Sequence, residues 1–384
     1  MSDLFKILFF AGAVQSILLA IGLGLRKENS SANKFLIVIL ILFGFNLFKL
    51  FIDESGLYRS FPYFLYSDIS VALLYGPLFF FYVRALTGGN KWSKKDTLHF
   101  IPFVVHFLLY LPVYFLDSDT KIMAYESYLA NGFGRSYQPL LTYGMKAVQY
   151  FAYLVLCISI IKRYKNEIKD HLSNTYRTDL SWLLKLFYVN AGFIVFLFVS
   201  LVFHSARFFT MPHDFSRVSY LWDMVIILTL SIMALKQSPV FHPNKIIVEK
   251  DSSKNSQENK YGASKLEKET IDSVMDELLE FMEKEKPYLD PDLTVTTLGE
   301  KISLQRHIIS QVINSGLNEN FHSFINKYRV EEVKKMLQDK THKNKTILEV
   351  AFLAGFNSKS HFNNCFRKNT GMTPKDYRKR SKIS

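Results

Sequence analysis

The chain has 384 residues, 47 Lys+Arg against 34 Asp+Glu for a formal net charge of +13, and a 49% hydrophobic content that includes 35 Phe and 21 Tyr. It is too apolar for an ordinary soluble protein and too charged for a bundle confined to a membrane, and it excludes a disordered chain or a secreted disulfide scaffold. The charge is segregated: residues 1–235 hold 21 Lys/Arg and 14 Asp/Glu between long apolar runs, residues 237–300 hold 8 and 14, and residues 301–384 hold 17 and 6. A membrane part, an acidic connector and a basic terminal domain follow. Cys157 sits in an apolar run and Cys365 in the basic domain, so both read as reduced, buried small hydrophobes.

A spanning helix needs roughly 20 apolar residues, because about 30 Å of hydrocarbon is crossed at about 1.5 Å per residue. Seven stretches qualify: Leu4–Leu25, Phe35–Ile52, Ile69–Leu86, Leu98–Leu116, Leu140–Ile161, Leu183–Phe203 and Leu221–Leu235. Pro77 interrupts the third, and the seventh is short. The first is too long for a signal peptide and lacks a cleavage site, so it reads as a retained span.

Lysine and arginine in the short loops orient the bundle. The first, third and fifth loops hold twelve (Arg26, Lys27, Lys34; Arg84, Lys91, Lys94, Lys95; Lys162, Arg163, Lys165, Lys169, Arg177), and the even loops hold five (Arg59, Lys121, Arg135, Arg207, Arg217). The odd loops are therefore expected in the cytoplasm, the N-terminus outside and the C-terminal domain cytoplasmic. Trp182 and Trp222 mark span edges, where interfacial aromatics belong.

Polar groups at membrane depth are expensive and point to function unless they pair or snorkel. Asn46, Lys49, His106, Lys146, Gln149, Lys185 and Asn190 read mainly as paired or snorkelling groups. Asp68, His204, Arg207 and Asp223 map to the outer ends of spans and form the candidate signal-sensing set, with the outer loop Asp117–Pro139 as a candidate lid. The sequence shows no metal-ligand spacing, paired carboxylates or nucleophile constellation, so no enzyme, metal or cofactor is expected.

Residues 236–270 read as a cytoplasmic linker. The stretch from Glu249 to Gly262 is nearly free of aliphatics and cannot bury a core, so it is expected to be a flexible tether. Ile271, Val274, Met275, Leu278, Leu279 and Met282 then recur at helical spacing, giving a packing helix for the next domain; a dimerisation helix is the sharper alternative.

The basic domain, 271–384, reads as short helices joined by tight turns. Leu293–Ile302 is a short helix with Thr294 as a cap, Ser303-Leu304 a turn, and Gln305–Ile313 a second helix with Ile308, Ile309, Val312 and Ile313 inward. Its outer face carries Gln305, Arg306, His307, Ser310 and Gln311, side chains that read base edges and phosphates. A long helix runs from about Asn320 to Leu337, and the layout repeats. Thr346 and Glu349 form a capping box. Gly355-Phe356-Asn357 turns, and a helix from Ser358 or Lys359 to Thr370 buries Phe362 and Phe366. That second helix offers Lys359, Ser360, His361, Asn363 and Asn364 to DNA, with Arg367 and Lys368 further along. Gly371-Met-Thr-Pro374 ends it, and a last basic helix follows at Tyr377-Arg378.

Residues 271–381 resemble the DNA-binding domain of the AraC/XylS family of bacterial transcription regulators. The resemblance rests on Ile347, Glu349-Val-Ala351, Gly355-Phe356-Asn-Ser358-Lys-Ser360-His-Phe362, Phe366-Arg-Lys368, Gly371-Met-Thr-Pro374 and Tyr377-Arg378, with Leu298, Ser310, Phe324 and Tyr328-Arg329 in the first half. Gly299 stands where the family usually has Ala, and Ile313 where Phe is common. The seven-span front end resembles membrane-embedded members by architecture alone. The resemblance implies a fold of two helix-turn-helix units entering successive major-groove segments of double-stranded DNA. It implies base contacts from Gln305, Arg306, His307, Lys359, Ser360 and His361, and phosphate contacts or salt bridges from Arg329, Lys334, Arg367 and Arg378. It also implies RNA polymerase as a partner and a homodimer.

The whole reads as an all-α chain in the bacterial inner membrane: a seven-helix transmembrane bundle, a tether and a tandem helix-turn-helix domain. Its partners would be DNA, membrane lipid and an unidentified small-molecule or envelope signal. The alternatives are a transporter or membrane enzyme with a regulatory DNA-binding tail, or a bundle that only anchors the regulator.

Overall fold

The computed structural model describes residues 2–28, 30–89, 92–131, 138–175, 178–205, 214–237 and 268–381. The described residues are helical throughout, with one isolated antiparallel bridge, and the chain separates into two compact units. The first comprises residues 1–162 and 180–240, the second residues 163–179 and 241–384.

In the first unit a helix lies on every predicted stretch: α1 (Ser2–Gly24), α2 (Ser30–Glu54), α3 (Ala72–Leu86), α4 (Ile101–Tyr114), α6 (Gln138–Glu167), α7 (Ser181–Ser205) and α8 (Asp214–Lys236), while α5 (Ser118–Asn131) falls between the fourth and fifth stretches. Among the described residues, four segments are long and apolar enough to cross a membrane: Asp3–Gly24, Ser31–Glu54, Lys94–Tyr114 and Gly144–Asp170. The third stretch was expected to be helical from Ile69, but α3 begins at Ala72. Tyr66 has a positive φ of 66°, the chain winds through turns to Val71, and the Ser70 hydroxyl is held by His106 Nδ1 at 2.9 Å.

Close packing of α1 on α2 depends on small residues. A Cβ at Gly44 would lie 3.3 Å from the Ala13 carbonyl oxygen, and one at Gly12 2.8 Å from the Leu47 side chain. Outward faces carry exposed apolar side chains such as Leu18, Leu108, Leu109 and Val148. Polar groups on these apolar helices find partners: Asn46 donates to the Tyr75 hydroxyl at 2.8 Å, Gln149 to the Leu73 carbonyl at 3.2 Å and Asn190 to the Tyr150 hydroxyl at 3.0 Å.

The second unit contains α9 (Lys268–Glu285), α10 (Val295–Lys301), α11 (Arg306–Leu317), α12 (Phe321–Gln338), α13 (Ile347–Leu353), α14 (Lys359–Thr370) and α15 (Pro374–Ser381). Local chemistry fixes their ends. Thr294 and Thr297 close a capping box on α10, Thr346 and Glu349 one on α13, Asn320 caps α12 and Ser358 caps α14. The last helix starts at Pro374, earlier than expected, because proline suits a first helical turn.

Two cores are built on one helix. Phe321, Phe324 and Ile325 of α12 pack with Leu278, Met282, Leu298, Ile309 and Ile313. Further along, Val330, Val333 and Leu337 pack with Val350, Ala351, Phe356, Phe362 and Phe366. At the crossover Arg329 is wholly buried, donating to the carbonyls of Tyr288 at 2.8 Å and Asp290 at 2.7 Å. Gly355 closes the same junction with φ of 89°; a Cβ there would lie 2.4 Å from the Tyr288 carbonyl oxygen. Most of the expected linker, residues 238–267, lies outside the described residues.

Candidate nucleic-acid interface

Each helix-turn-helix unit needs a tight turn between its two helices, and the two units solve this differently. In the second, Gly355 takes the positive φ. In the first, Ser303 does so at 57°, and Leu304 N–H donates to the Gly299 carbonyl at 2.9 Å. A Cβ on Gly299 would lie 2.4 Å from the Leu304 carbonyl oxygen, so this turn has no room for the alanine usual in the resembling family. The glycine is thus matched to its own turn.

With the turns set, α11 buries Ile309, Val312 and Ile313, and α14 buries Phe362 and Phe366. The opposite faces follow from the 3.6-residue period. On α11, Gln305 and His307 are exposed, and Arg306, Ser310 and Gln311 are half-buried. On α14, Lys359, Ser360, Asn363, Asn364, Arg367 and Lys368 are exposed. Asn357, Ser358, Lys359, Ser360 and Asn363 line an open hollow of about 580 Å³ at the start of α14. Helix N-termini present free N–H groups and the positive end of the dipole, so this end is suited to a phosphate.

His361 departs from the outward set. It is half-buried, with Nε2 3.0 Å from His322 Nε2 on α12 and 3.2 Å from Cys365 Sγ. Burial and the nearby Arg329 charge push its pKa down to about 4, and burial with the neighbouring imidazole takes His322 down to about 3. Both rings are neutral at pH 7 and hold α12 to α14. Arg329, expected at a phosphate or in a salt bridge, instead satisfies main-chain carbonyls; burial lowers its pKa to about 10, which leaves it charged. Arg378 likewise donates to the Lys345 and Lys343 carbonyls, both at 2.7 Å, tying α15 to the loop before α13. Lys334 pairs with Glu331 at 2.8 Å.

Of the candidate sensing residues, Asp68 is drawn into a charge cluster in which Lys49 Nζ is 3.3 Å from Asp68 and 2.7 Å from Asp53. Asp223 lies exposed on α8. The side chain of His204 and the whole of Arg207 lie outside the described residues.

A further group went unread in the sequence. The segment between α6 and α7 belongs to the second unit, and Ser173 in it is wholly buried. Asn326 donates to the Ser173 carbonyl at 3.0 Å, and Arg329 Nη2 to the Ser173 hydroxyl at 3.0 Å. No local sequence signal marks these partners, which lie about 150 residues away.

The paired turns, the buried inner faces and the polar outer faces define a helix-turn-helix DNA-binding domain. Residues 298–380 match the family described as a helix-turn-helix domain. The melibiose operon regulatory protein of Escherichia coli (strain K12) is 32% identical over 92 residues, 24% of this chain and 30% of that protein. An uncharacterized HTH-type transcriptional regulator of Staphylococcus aureus (strain COL) is 33% identical over 87 residues, 23% of this chain and 11% of that protein. The chain therefore spans less than a third of the length of these relatives. A solved structure of a protein of unknown function from Listeria innocua aligns at 25% identity over 28% of this chain and 95% of its own, with a TM-score of 0.24.

Proposed function

We propose that the chain is a membrane-embedded, sequence-specific transcription regulator that reads DNA with two helix-turn-helix units and takes its signal through the helical first unit. One observation carries the DNA part: two helices, α11 and α14, bury one face and offer Gln305, His307, Lys359, Ser360, Asn363, Asn364 and Arg367 on the other, in a segment of strong positive charge. The names of the relatives, one a regulator of an operon, support transcription as the output. Arg306, Ser310 and Gln311 complete the first reading face; His361 acts from inside as a positioning residue.

The membrane part rests on seven helices coinciding with seven apolar stretches, four of which meet the length and composition of a span. The loop charges put residues 163–179 in the cytoplasm, and the hydrogen bonds of that segment to Leu293, Asn326 and Arg329 favour the same compartment for the basic domain. On this reading the protein sits in the bacterial inner membrane with its N-terminus outside, works as a homodimer, contacts RNA polymerase, and responds to a small-molecule or envelope signal.

The test is genome-wide occupancy of the full-length chain in its own cells, beside a strain carrying Lys359→Ala with Asn364→Ala. Discrete sites that vanish in the double variant support the reading. A chain with no enriched sites under any growth condition refutes it.

A further inference from the structure

The segment between α6 and α7 does not behave like a solvated loop. A loop is usually polar and superficial because its main-chain groups need water. Here Ile168 and Ser173 are buried within the second unit, and the main-chain groups are paired with it. Leu172 and Thr294 form an antiparallel bridge, with Ser173 N–H donating to the Leu293 carbonyl at 3.2 Å and Val295 N–H to the His171 carbonyl at 3.0 Å. The Ser173 hydroxyl donates to the Leu293 carbonyl at 2.6 Å and accepts from Arg329 Nη2 at 3.0 Å; its carbonyl accepts from Asn326 Nδ2 at 3.0 Å. Every polar atom of one loop serine is thus engaged by the start of α10 and the middle of α12.

The same segment reaches the first reading helix. Ser310 Oγ lies 3.5 Å from the Asp170 carbonyl, and Arg306 is close enough to His171 for its charge to add to burial in lowering that imidazole's pKa. Gln305 and His307 are exposed, whereas Ser310 and Arg306 are half-buried. A base edge needs the outward side of Ser310, one turn into α11, to be free of protein.

We propose that residues 168–175 are an intramolecular strap that docks on the first helix-turn-helix unit and competes with DNA for the Ser310 face of α11. The strap is continuous with α6 at one end and α7 at the other, so a rearrangement of these helices reaches the reading face without passing through the 236–270 linker. Strap and DNA are two ligands of one surface, and each lowers the affinity of the domain for the other. This inference rests on the regulator reading above.

The test uses the full-length chain in membrane vesicles and DNA duplexes recovered from its strongest genomic sites. Bridged antiparallel residues have Cα atoms about 4.5–5.5 Å apart, within disulfide reach. A chain with Leu172→Cys and Thr294→Cys should therefore form an intrachain bond on mild oxidation, and saturating duplex should slow its formation. The single-cysteine chains, which keep Cys157 and Cys365, are the controls. Oxidised, the double variant should bind duplex at least tenfold more weakly than after reduction. As an opposite perturbation, Ser173→Pro removes the N–H given to Leu293 and should tighten binding above that of the unsubstituted chain. Failure of the bond to form, or equal affinity in the oxidised and reduced states, overturns the strap. A reduced chain that binds none of the duplexes overturns instead the regulator reading, and the strap with it.

Discussion

Replacing Gly355 by alanine tests the idea that the two cores of the DNA-binding unit meet at one tight junction. Two penalties act at this position. The backbone has φ of 89°, and a left-handed conformation costs a non-glycine residue about 1–2 kcal/mol. The new methyl would lie 2.4 Å from the Tyr288 carbonyl oxygen and 2.9 Å from both the Leu289 carbonyl oxygen and Arg329 Nε. Restoring ordinary contact requires the Tyr288 segment to retreat by about 1 Å, and an overpacking adjustment of that kind costs about 1–3 kcal/mol. The sum is about 2–5 kcal/mol, with a midpoint near 3.5 kcal/mol. Gly371 supplies an internal control: its φ is 72°, yet nothing lies within 4 Å of a Cβ built there, so Gly371→Ala meets only the conformational penalty. The three tryptophans all lie within the first 235 residues, so tryptophan fluorescence does not report on this unit. Hydrogen exchange of peptides from α12 and α14 in the full-length chain does. At about 1.4 kcal/mol per factor of ten, the midpoint has Gly355→Ala accelerating protected amides by about a few hundredfold and Gly371→Ala by about tenfold. Equal acceleration by the two substitutions would show that the junction is loose and that Arg329 and Gly355 do not join the halves.

Three further outcomes are expected. Ser303→Gly relieves the left-handed serine of the first turn, offset in part by the greater freedom of glycine in the unfolded chain, and should slow exchange in α10 and α11 by a factor of a few, worth about 0.5–1 kcal/mol. Arg329→Met leaves the Tyr288 and Asp290 carbonyls unpaired and should destabilise the unit by about 3 kcal/mol, with Arg329→Lys failing to restore exchange protection because one ammonium cannot reproduce the fork. On acidification, His322 and His361 stay neutral in the folded unit down to about pH 3 and 4, whereas in the unfolded chain they take protons near pH 6.5. Their contribution is therefore complete above pH 6.5 and is lost as pH falls towards 4, at up to about 1.4 kcal/mol per pH unit for each ring. The slope of α12 and α14 protection against pH should be shallower in His322→Gln, and an unchanged slope would refute the pairing.

The parts of the structure that were legible in the sequence are those fixed by short-range chemistry. Thr294, Thr346 and Gly355 announce themselves because a cap or a left-handed turn is settled within four residues. The buried faces of α11 and α14 follow equally from the spacing of Ile309, Val312, Ile313, Phe362 and Phe366. Contacts made across the fold were not legible. His361 is next to an outward residue on one side and an inward one on the other, and its inward turn depends on His322, 39 positions away. Gly299 looks like a neutral departure until the Leu304 carbonyl is seen against its Cα. Arg329 has the composition of a phosphate ligand and the environment of a core residue. The segment 168–175 was hardest to foresee, since its Lys169 serves the loop-charge count while its Ser173 is buried in the DNA-binding unit.

The sharing of α12 between two cores makes that helix a ruler as well as a scaffold. Its 18 residues set a length of about 27 Å at about 1.5 Å per residue, and each residue also sets a rotation of about 100°. One residue inserted between Ile325 and Val330 would leave both cores with their own side chains yet turn one by about 100°, somewhat over a quarter of a revolution, against the other. Seven inserted residues would nearly restore the phase while separating the cores by about 10 Å, the rise of about three base pairs. The spacing and the angular register of the two reading helices are thus written in a single number, the length of α12, and can be retuned separately only in steps that respect the helical repeat.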